Sequence, residues 1–270
     1  MLLRLHDIKE LILLNRIEKA FENGKSFIGF LTAGDPNLEK TEEFILKMER
    51  AGADLIEIGI PFSDPVAEGD VIQEANIRAL SVGTTVDKIF DMVKSVRTKT
   101  QIPLALMTYA NPVFYYGYEK FFKKCEEVGI DGIIIPDMPY EEKDELAETA
   151  SRYGVKTISL IAPTSEQRIR TIAENAEGFL YVVSSMGVSG VRKEINTDLK
   201  SILKVIKETT NIPCAIGFGI STPQQAKEIG QMADGIIVGS AIVKIIQEYK
   251  EEAGHQIYEY VRAMKDAIKK

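Results

Sequence analysis

Ala53-Asp54-Leu55-Ile56-Glu57-Ile58-Gly59-Ile60 runs straight into Pro61-Phe62-Ser63-Asp64-Pro65-Val66-Ala67-Glu68-Gly69. The first eight residues have the pattern of a buried parallel strand, apolar on both faces and closed by glycine and proline. One carboxylate, Glu57, interrupts the apolar run. An acid buried there is costly unless it is hydrogen-bonded, protonated or put to use. The loop that leaves the strand brings further acids, Asp64 and Glu68, with Asp70 just beyond. A carboxylate at the exit of a barrel strand, facing others across a cleft, is a layout for acid–base chemistry.

Seven further apolar runs accompany this one. Together they span 27–32, 54–60, 103–108, 131–136, 156–162, 178–184, 213–217 and 235–239, each followed by a helix-like pattern. Eight strand–helix units in about 250 residues predict a single-domain (β/α)8 TIM barrel; a doubly wound open sheet is the alternative. An internal echo supports the barrel. Thr100-Gln-Ile-Pro-Leu-Ala-Leu returns as Thr210-Asn-Ile-Pro-Cys-Ala-Ile before the third and seventh strands. Asp131-Gly-Ile-Ile-Ile returns as Asp234-Gly-Ile-Ile-Val in the fourth and eighth. Matching strands four places apart read as two half-barrels of similar design, or simply as two good turn sequences.

No linker or charge block divides the chain, so one domain over 1–270 is expected: an N-terminal helical segment at 1–24, the barrel at 25–250 and a C-terminal helix at 251–270. The helical periodicity ahead of the first strand stops at Gly24 and predicts an extra N-terminal helix that plugs the barrel bottom.

Composition excludes several classes of function. The net charge of −7 argues against a nucleic-acid surface, which would show a basic face. Two cysteines, Cys125 and Cys214, make no disulfide framework and have no metal-ligand spacing. The only histidines, His6 and His255, lie near opposite ends of the chain, which leaves no histidine metal centre or triad; no metal is expected. A Schiff-base aldolase needs a desolvated strand lysine. The one strand lysine, Lys156, lies at a strand entrance, the wrong end of the barrel. The acids and the lysine just before Leu11-Ile12-Leu13-Leu14 are not those of a signal peptide, and no stretch is apolar enough to span a membrane; a cytoplasmic protein is expected.

Glycine-bearing turns follow the last three strands: Gly187-Val188-Ser189-Gly190, Gly217-Phe218-Gly219-Ile220-Ser221 and Gly239-Ser240. Glycines let backbone N–H groups approach an anion, and helix N-termini add a favourable dipole. Thr222-Pro223-Gln224-Gln225 reads as a capped helix start just after Gly219. Barrels that bind phosphorylated substrates place the phosphate on these loops, so a sugar-phosphate type of substrate is expected. The remaining chemistry is carboxylate acid–base catalysis without a cofactor.

The motifs Phe30-Leu-Thr-Ala-Gly-Asp35-Pro36, Ile56-Glu57-Ile-Gly-Ile-Pro-Phe-Ser-Asp64-Pro65, Tyr109-Ala-Asn111-Pro112, Pro136-Asp137-Met-Pro139, Gly217-Phe-Gly219-Ile-Ser and Gly239-Ser240-Ala-Ile-Val resemble the tryptophan synthase alpha subunit, in order, over nearly the whole chain. The resemblance implies a carbon–carbon lyase of tryptophan biosynthesis. It would cleave indole-3-glycerol phosphate to indole and glyceraldehyde 3-phosphate, and work in an alpha2beta2 complex with a beta subunit that carries pyridoxal phosphate. The chain itself would need no cofactor. Glu57 would protonate the indole ring carbon and assist the retro-aldol break, with its pKa raised by burial. Gly190, Gly219, Gly239 and Ser240 would hold the phosphate. Phe30, Met107, Tyr109 and Phe218 would line the indole pocket, their alternative being plain barrel core. Tyr181 would hydrogen-bond the catalytic carboxylates, and Ser189 would clasp the catalytic loop. Asp64, Asn111, Pro112, Asp137 and Pro139 would face the beta subunit.

One departure stands out. The family reads Ala-Asp-Gly-Pro where this chain reads Ala67-Glu68-Gly69-Asp70. The family aspartate accepts a hydrogen bond from the indole N–H, and Glu68 would replace it with one more methylene. A misplacement of about 1 Å can cost on the order of a hundredfold in rate. Two readings follow: a working lyase, or a channelling and allosteric partner of the beta subunit whose own chemistry has weakened.

Overall fold

The computed structural model describes residues 16–183, 192–217 and 219–269. Its strands are β1 (Ser26–Thr32), β2 (Leu55–Gly59), β3 (Leu104–Met107), β4 (Gly132–Ile134), β5 (Lys156–Thr157), β6 (Ser159–Ile161), β7 (Leu180–Val183), β8 (Cys214–Gly217) and β9 (Gly235–Val238). All pair in parallel in the order β5-β4-β3-β2-β1-β9-β8-β7-β6. The two ends of that order, β5 and β6, are separated in the chain by Ile158 alone. The ring therefore closes through the backbone itself, and the fold is the eight-position (β/α)8 barrel.

The fifth run, expected as one strand over 156–162, is thus two segments. Its first half takes its register from β4 and its second from β7. A tilted, sheared barrel demands such a stagger, and here it falls within one strand.

The helices are α1 (Arg16–Lys19), α2 (Leu38–Ala51), α3 (Asp70–Ser81), α4 (Val86–Arg97), α5 (Ala110–Tyr116), α6 (Tyr118–Val128), α7 (Asp144–Arg152), α8 (Glu166–Glu174), α9 (Arg192–Thr209), α10 (Pro223–Gly230), α11 (Ser240–Tyr249) and α12 (Gly254–Ile268). The capping box expected at the start of α10 forms, with Thr222 and Gln225 each bonding the other's backbone. The C-terminal helix α12 packs against both α2 and α10 and completes the outer ring.

Two apolar layers follow from strand alternation. One side chain of each pair points outward to the helices and the other into the barrel. Ile28, Leu55, Ala105, Ile134, Ile158, Phe179, Ala215 and Ile237 form the inner layer, one from each strand position. Ile17 of α1 and Ala20 fill that layer from below, as a bottom plug requires. Residues 1–15 of the expected N-terminal helix lie outside the described residues.

The sequence echo has a physical basis. Asp131 accepts the backbone N–H of Leu104 at 2.9 Å, while its own N–H donates to Leu104 O at 2.9 Å. Asp234 and Cys214 repeat the pair at 3.0 and 2.9 Å, and Asp54 with Phe27 at 2.7 and 2.9 Å. Glu177 accepts the N–H of Thr157 at 2.7 Å in the corresponding place. A carboxylate ahead of every second strand thus ties the entrance of the strand before it, a repeat twice as frequent as the half-barrel reading implied. These acids also gather cations: Arg16 and Arg97 on Asp131 at 2.7 Å each, and Lys265 on Asp54 at 2.6 Å. Lys156 is among the residues at this bottom face, as expected.

Asp131 is 4% exposed and Arg97 lies beneath it, so removing the acid strands a buried cation. Asp131→Ala is expected to lower unfolding free energy by about 3–5 kcal/mol, read from equilibrium urea denaturation.

Candidate active site

Glu57 follows Leu55 by two residues, so it points into the barrel one layer above the apolar floor. The same step from the floor places Phe30 after Ile28, Met107 after Ala105, Leu160 after Ile158, Tyr181 after Phe179 and Gly239 after Ile237. These residues line a cavity of about 860 Å³ at the carboxyl end of the strands. Two rings have room because glycines stand opposite. A Cβ on Gly217 would lie 2.5 Å from the Tyr181 hydroxyl, and one on Gly59 would lie 2.7 Å from the Phe30 ring.

Glu57 is fully buried, and neither carboxyl oxygen has a hydrogen-bond partner among the described residues. Burial alone pushes its carboxyl up to about 8, so the group is largely protonated at neutral pH. The hydrogen bond expected from Tyr181 to Glu57 is not formed. Tyr181 lines the same cavity, and burial with the nearby Glu57 charge drives its phenol well upward.

Glu68 reaches the cavity from the loop between β2 and α3. Its Oε2 accepts from Asn76 Nδ2 at 2.7 Å, and its backbone O accepts from Gln73 Nε2 at 2.8 Å. Burial holds its pKa above the ordinary carboxylate value, and Asn76 and Tyr109 oppose part of that rise. Tyr109 stands behind this loop and is not a lining residue of the cavity. Its hydroxyl accepts the Ala67 N–H at 3.2 Å, and its ring meets Phe62 at 5.3 Å. Burial first, then Glu68, pushes the Tyr109 phenol up to about 12.

At the far rim, Gly219 has φ +76° and Gly239 caps α11 with no side-chain bond, which leaves the first N–H groups of that helix open to an anion. Gly219, Gly239 and Ser240 line the cavity, as does Lys244 one turn along α11. Ser189, Gly190 and Phe218 lie outside the described residues.

Of the five rim positions singled out in the sequence, Asp64, Asn111, Asp137 and Pro139 are exposed and Pro112 is half-buried. Asp137 Oδ1 accepts the Ala110 N–H at 3.0 Å, which joins the loops after β3 and β4. Beside Asn111 and Pro112, Phe114 and Tyr115 are 66% and 92% exposed. Sequence reasoning missed these aromatics, along with Asn76, Ile72 and Lys244. A signal existed for Asn76: it occupies the buried face of α3 with Ile72, Ala75 and Ala79, where an amide needs a partner.

A family model for the tryptophan synthase alpha chain matches residues 17–269. The tryptophan synthase alpha chain of Lacticaseibacillus casei is 44% identical over 257 residues, 95% of this chain and 97% of that one. That of Thermoanaerobacter sp. (strain X514) is 46% identical over 262 residues, 94% and 100% of the two chains. Among solved structures, tryptophan synthase subunit alpha from Legionella pneumophila str. Paris is similar at TM-score 0.87 and 36% identity, covering 95% of this chain and 99% of that one. A chain of the tryptophan synthase a2b2 complex from Pyrococcus furiosus is similar at TM-score 0.83 and 38% identity, covering 90% and 98%.

A carboxyl whose folded pKa lies above its unfolded one favours folding fully below the unfolded value, and that contribution is lost as pH rises through the folded value. Glu57 therefore weakens the fold progressively between about pH 4.5 and about 8. Glu57→Gln is expected to remove this slope. Its stability relative to the parent should rise across that window, by at most about 1.4 kcal/mol per pH unit, and then level off in urea unfolding curves taken from pH 4 to 9.

Proposed function

This chain belongs to the tryptophan synthase alpha chain family, and we propose that Glu57 and Glu68 divide the acid–base work of its reaction between them. The chain is a lyase that cleaves indole-3-glycerol phosphate to indole and glyceraldehyde 3-phosphate, and it needs no cofactor of its own. It works with a pyridoxal-phosphate beta subunit in an alpha2beta2 assembly. No helix among the described residues is long and apolar enough to cross a membrane. Cytoplasmic residence is our reading from the biosynthetic role of the family.

One observation carries the assignment of roles: the fully buried Glu57 carboxyl, unpartnered among the described residues, lines the same cavity as a hydrogen-bonded Glu68. Burial raises both acids, but among the described residues only Glu68 has a hydrogen-bond donor that favours its ionised form. This suits Glu57 to the acid role and Glu68 to the carboxylate role. Neutral Glu57 gives its proton to the indole ring carbon that bears the glycerol chain. The ring nitrogen becomes cationic, and the Glu68 carboxylate stabilises it through the N–H. Glu57, now ionised, takes the proton of the adjacent chain hydroxyl. The bond between ring and chain breaks, and its electron pair restores the indole. The chain leaves as an aldehyde and Glu57 ends protonated as it began, so no external acid, base or oxidant is consumed.

Phe30, Met107 and Tyr181 supply the apolar wall for the indole, and Gly219, Gly239 and Ser240 bind the phosphate. We extend the phosphate cradle to Gly190, and the indole pocket and loop clasp to Phe218 and Ser189, by family likeness alone. Tyr109 serves the site through the Glu68 loop. The rim of Asp64, Asn111, Pro112, Asp137 and Pro139 is the proposed beta-subunit face. The exposed Phe114 and Tyr115 support that choice, because large aromatics left bare beside a polar rim mark contact surfaces.

The test is indole release from indole-3-glycerol phosphate. Glu57→Gln should lower kcat by about 10²–10⁴-fold with little change in KM. A variant that keeps more than a tenth of the parent rate would remove Glu57 from the acid role.

A further inference from the structure

The loop acid of this site has an unusual support. Helix α3 begins one residue after Gly69 and has no side-chain cap, so Glu68 stands at its N-terminal end, where the dipole favours a negative group. Two residues of the same helix reach back to it, Gln73 to the Glu68 carbonyl and Asn76 to the carboxylate. Asn76 is 4% exposed and lies on the core-facing side of α3. From the opposite side the Tyr109 hydroxyl holds the loop at Ala67. The helix is itself bolted down, because Arg78 forks onto the buried Asp35 after β1 at 2.9 and 2.7 Å. A bidentate guanidinium–carboxylate pair fixes orientation as well as distance.

We propose that Asn76, seconded by the Tyr109 hydroxyl, is a positioning residue that draws the long Glu68 side chain back along α3, so that this site is built for glutamate at 68 rather than aspartate. The inference rests on Glu68 being the second carboxylate of the lyase reaction. An acid with one more methylene than the family residue would otherwise extend into the indole space. The amide anchors one carboxylate oxygen near α3 and leaves the other for the substrate N–H. A shorter aspartate on the same loop cannot serve both.

Asn76 and Tyr109 also act on the charge of Glu68. Their hydrogen bonds favour the ionised form against the burial that opposes it. The other titratable groups around the cavity are Glu57, Tyr140, Lys143, Arg168, Tyr181 and Lys244, with Asp70 at the start of α3. Asn76 is the hydrogen-bond donor to the Glu68 side chain among the described residues, and the nearby Tyr109 hydroxyl also favours its charge.

The experiment is the pH profile of kcat/KM for indole cleavage in the full chain with its beta subunit. The variants are Asn76→Ala, Tyr109→Phe, Glu68→Asp and Glu68→Gln. Asn76→Ala should move the acid limb upward by about one pH unit, because the reactive Glu68 carboxylate is then protonated at higher pH. It should also lower kcat about tenfold or more with KM little changed. Tyr109→Phe keeps the ring against Phe62 and loses only the hydroxyl. It should shift the limb in the same direction, so the test survives if Asn76→Ala folds poorly. Glu68→Asp should be slower than the parent, and Asn76→Ala should add little to that loss.

Unmoved acid limbs in both Asn76→Ala and Tyr109→Phe would overturn the positioning role while leaving the lyase reading intact. So would Glu68→Asp at parental rate. A Glu68→Gln enzyme with parental turnover would instead sink the catalytic assignment of Glu68 itself, and this inference with it.

Discussion

The barrel closes around a buried carboxyl that has no hydrogen-bond partner among the described residues. Glu57 lies in a strand whose neighbours on both sides are backbone-paired, one layer above a floor of aliphatic side chains. Nothing described donates to it, so loss of water alone holds the proton on at neutral pH. A stronger local partner would relieve the burial and remove the acid. The surrounding structure must therefore be tight enough to retain an uncompensated group, and the closed, plugged barrel provides that tightness.

The two ends of the barrel meet opposite demands. At the strand entrances each of the four carboxylates is satisfied by a backbone N–H, and three of them by cations as well. Each clamp joins a strand to the turn that begins the next, so the set stiffens the ring where no chemistry occurs. At the strand exits the loops carry acids, glycines and bare aromatic rings. Buried ion pairs add little net stability, yet they are expensive to break, and so they suit a register role at the bottom face.

Glu68 shows how a site absorbs a change in side-chain length. Its hydrogen-bond donor is an amide on the buried face of the next helix, and a phenol behind the loop favours its charge, both outside the motif that carries the acid. The placement of Glu68 draws on the exits of β2 and β3 and on α3. Glu57 by contrast is placed by its own strand alone, and its environment rather than its contacts sets its state.

Much of this was legible along the chain. Eight apolar runs with helical spacing between them encode a barrel, because strand and helix periods are local properties of sequence. Glu57 stood out as an acid in such a run, while Phe30, Met107 and Tyr181 were named only through the family resemblance. The glycine turns at Gly219 and Gly239-Ser240 were readable at or just ahead of helix starts. Three things were not legible. The fifth strand divides because shear is a property of the closed ring and not of any one run. Tyr109 holds the catalytic loop instead of lining the cavity, since a side chain at a strand exit can turn either way until its loop is packed. The grip of Asn76 on Glu68 joins residues eight apart whose meeting depends on where α3 docks. Local pattern thus determined the elements and the acid in the strand. Only tertiary packing decided which polar groups face that acid, because those contacts exist solely once the ring has closed.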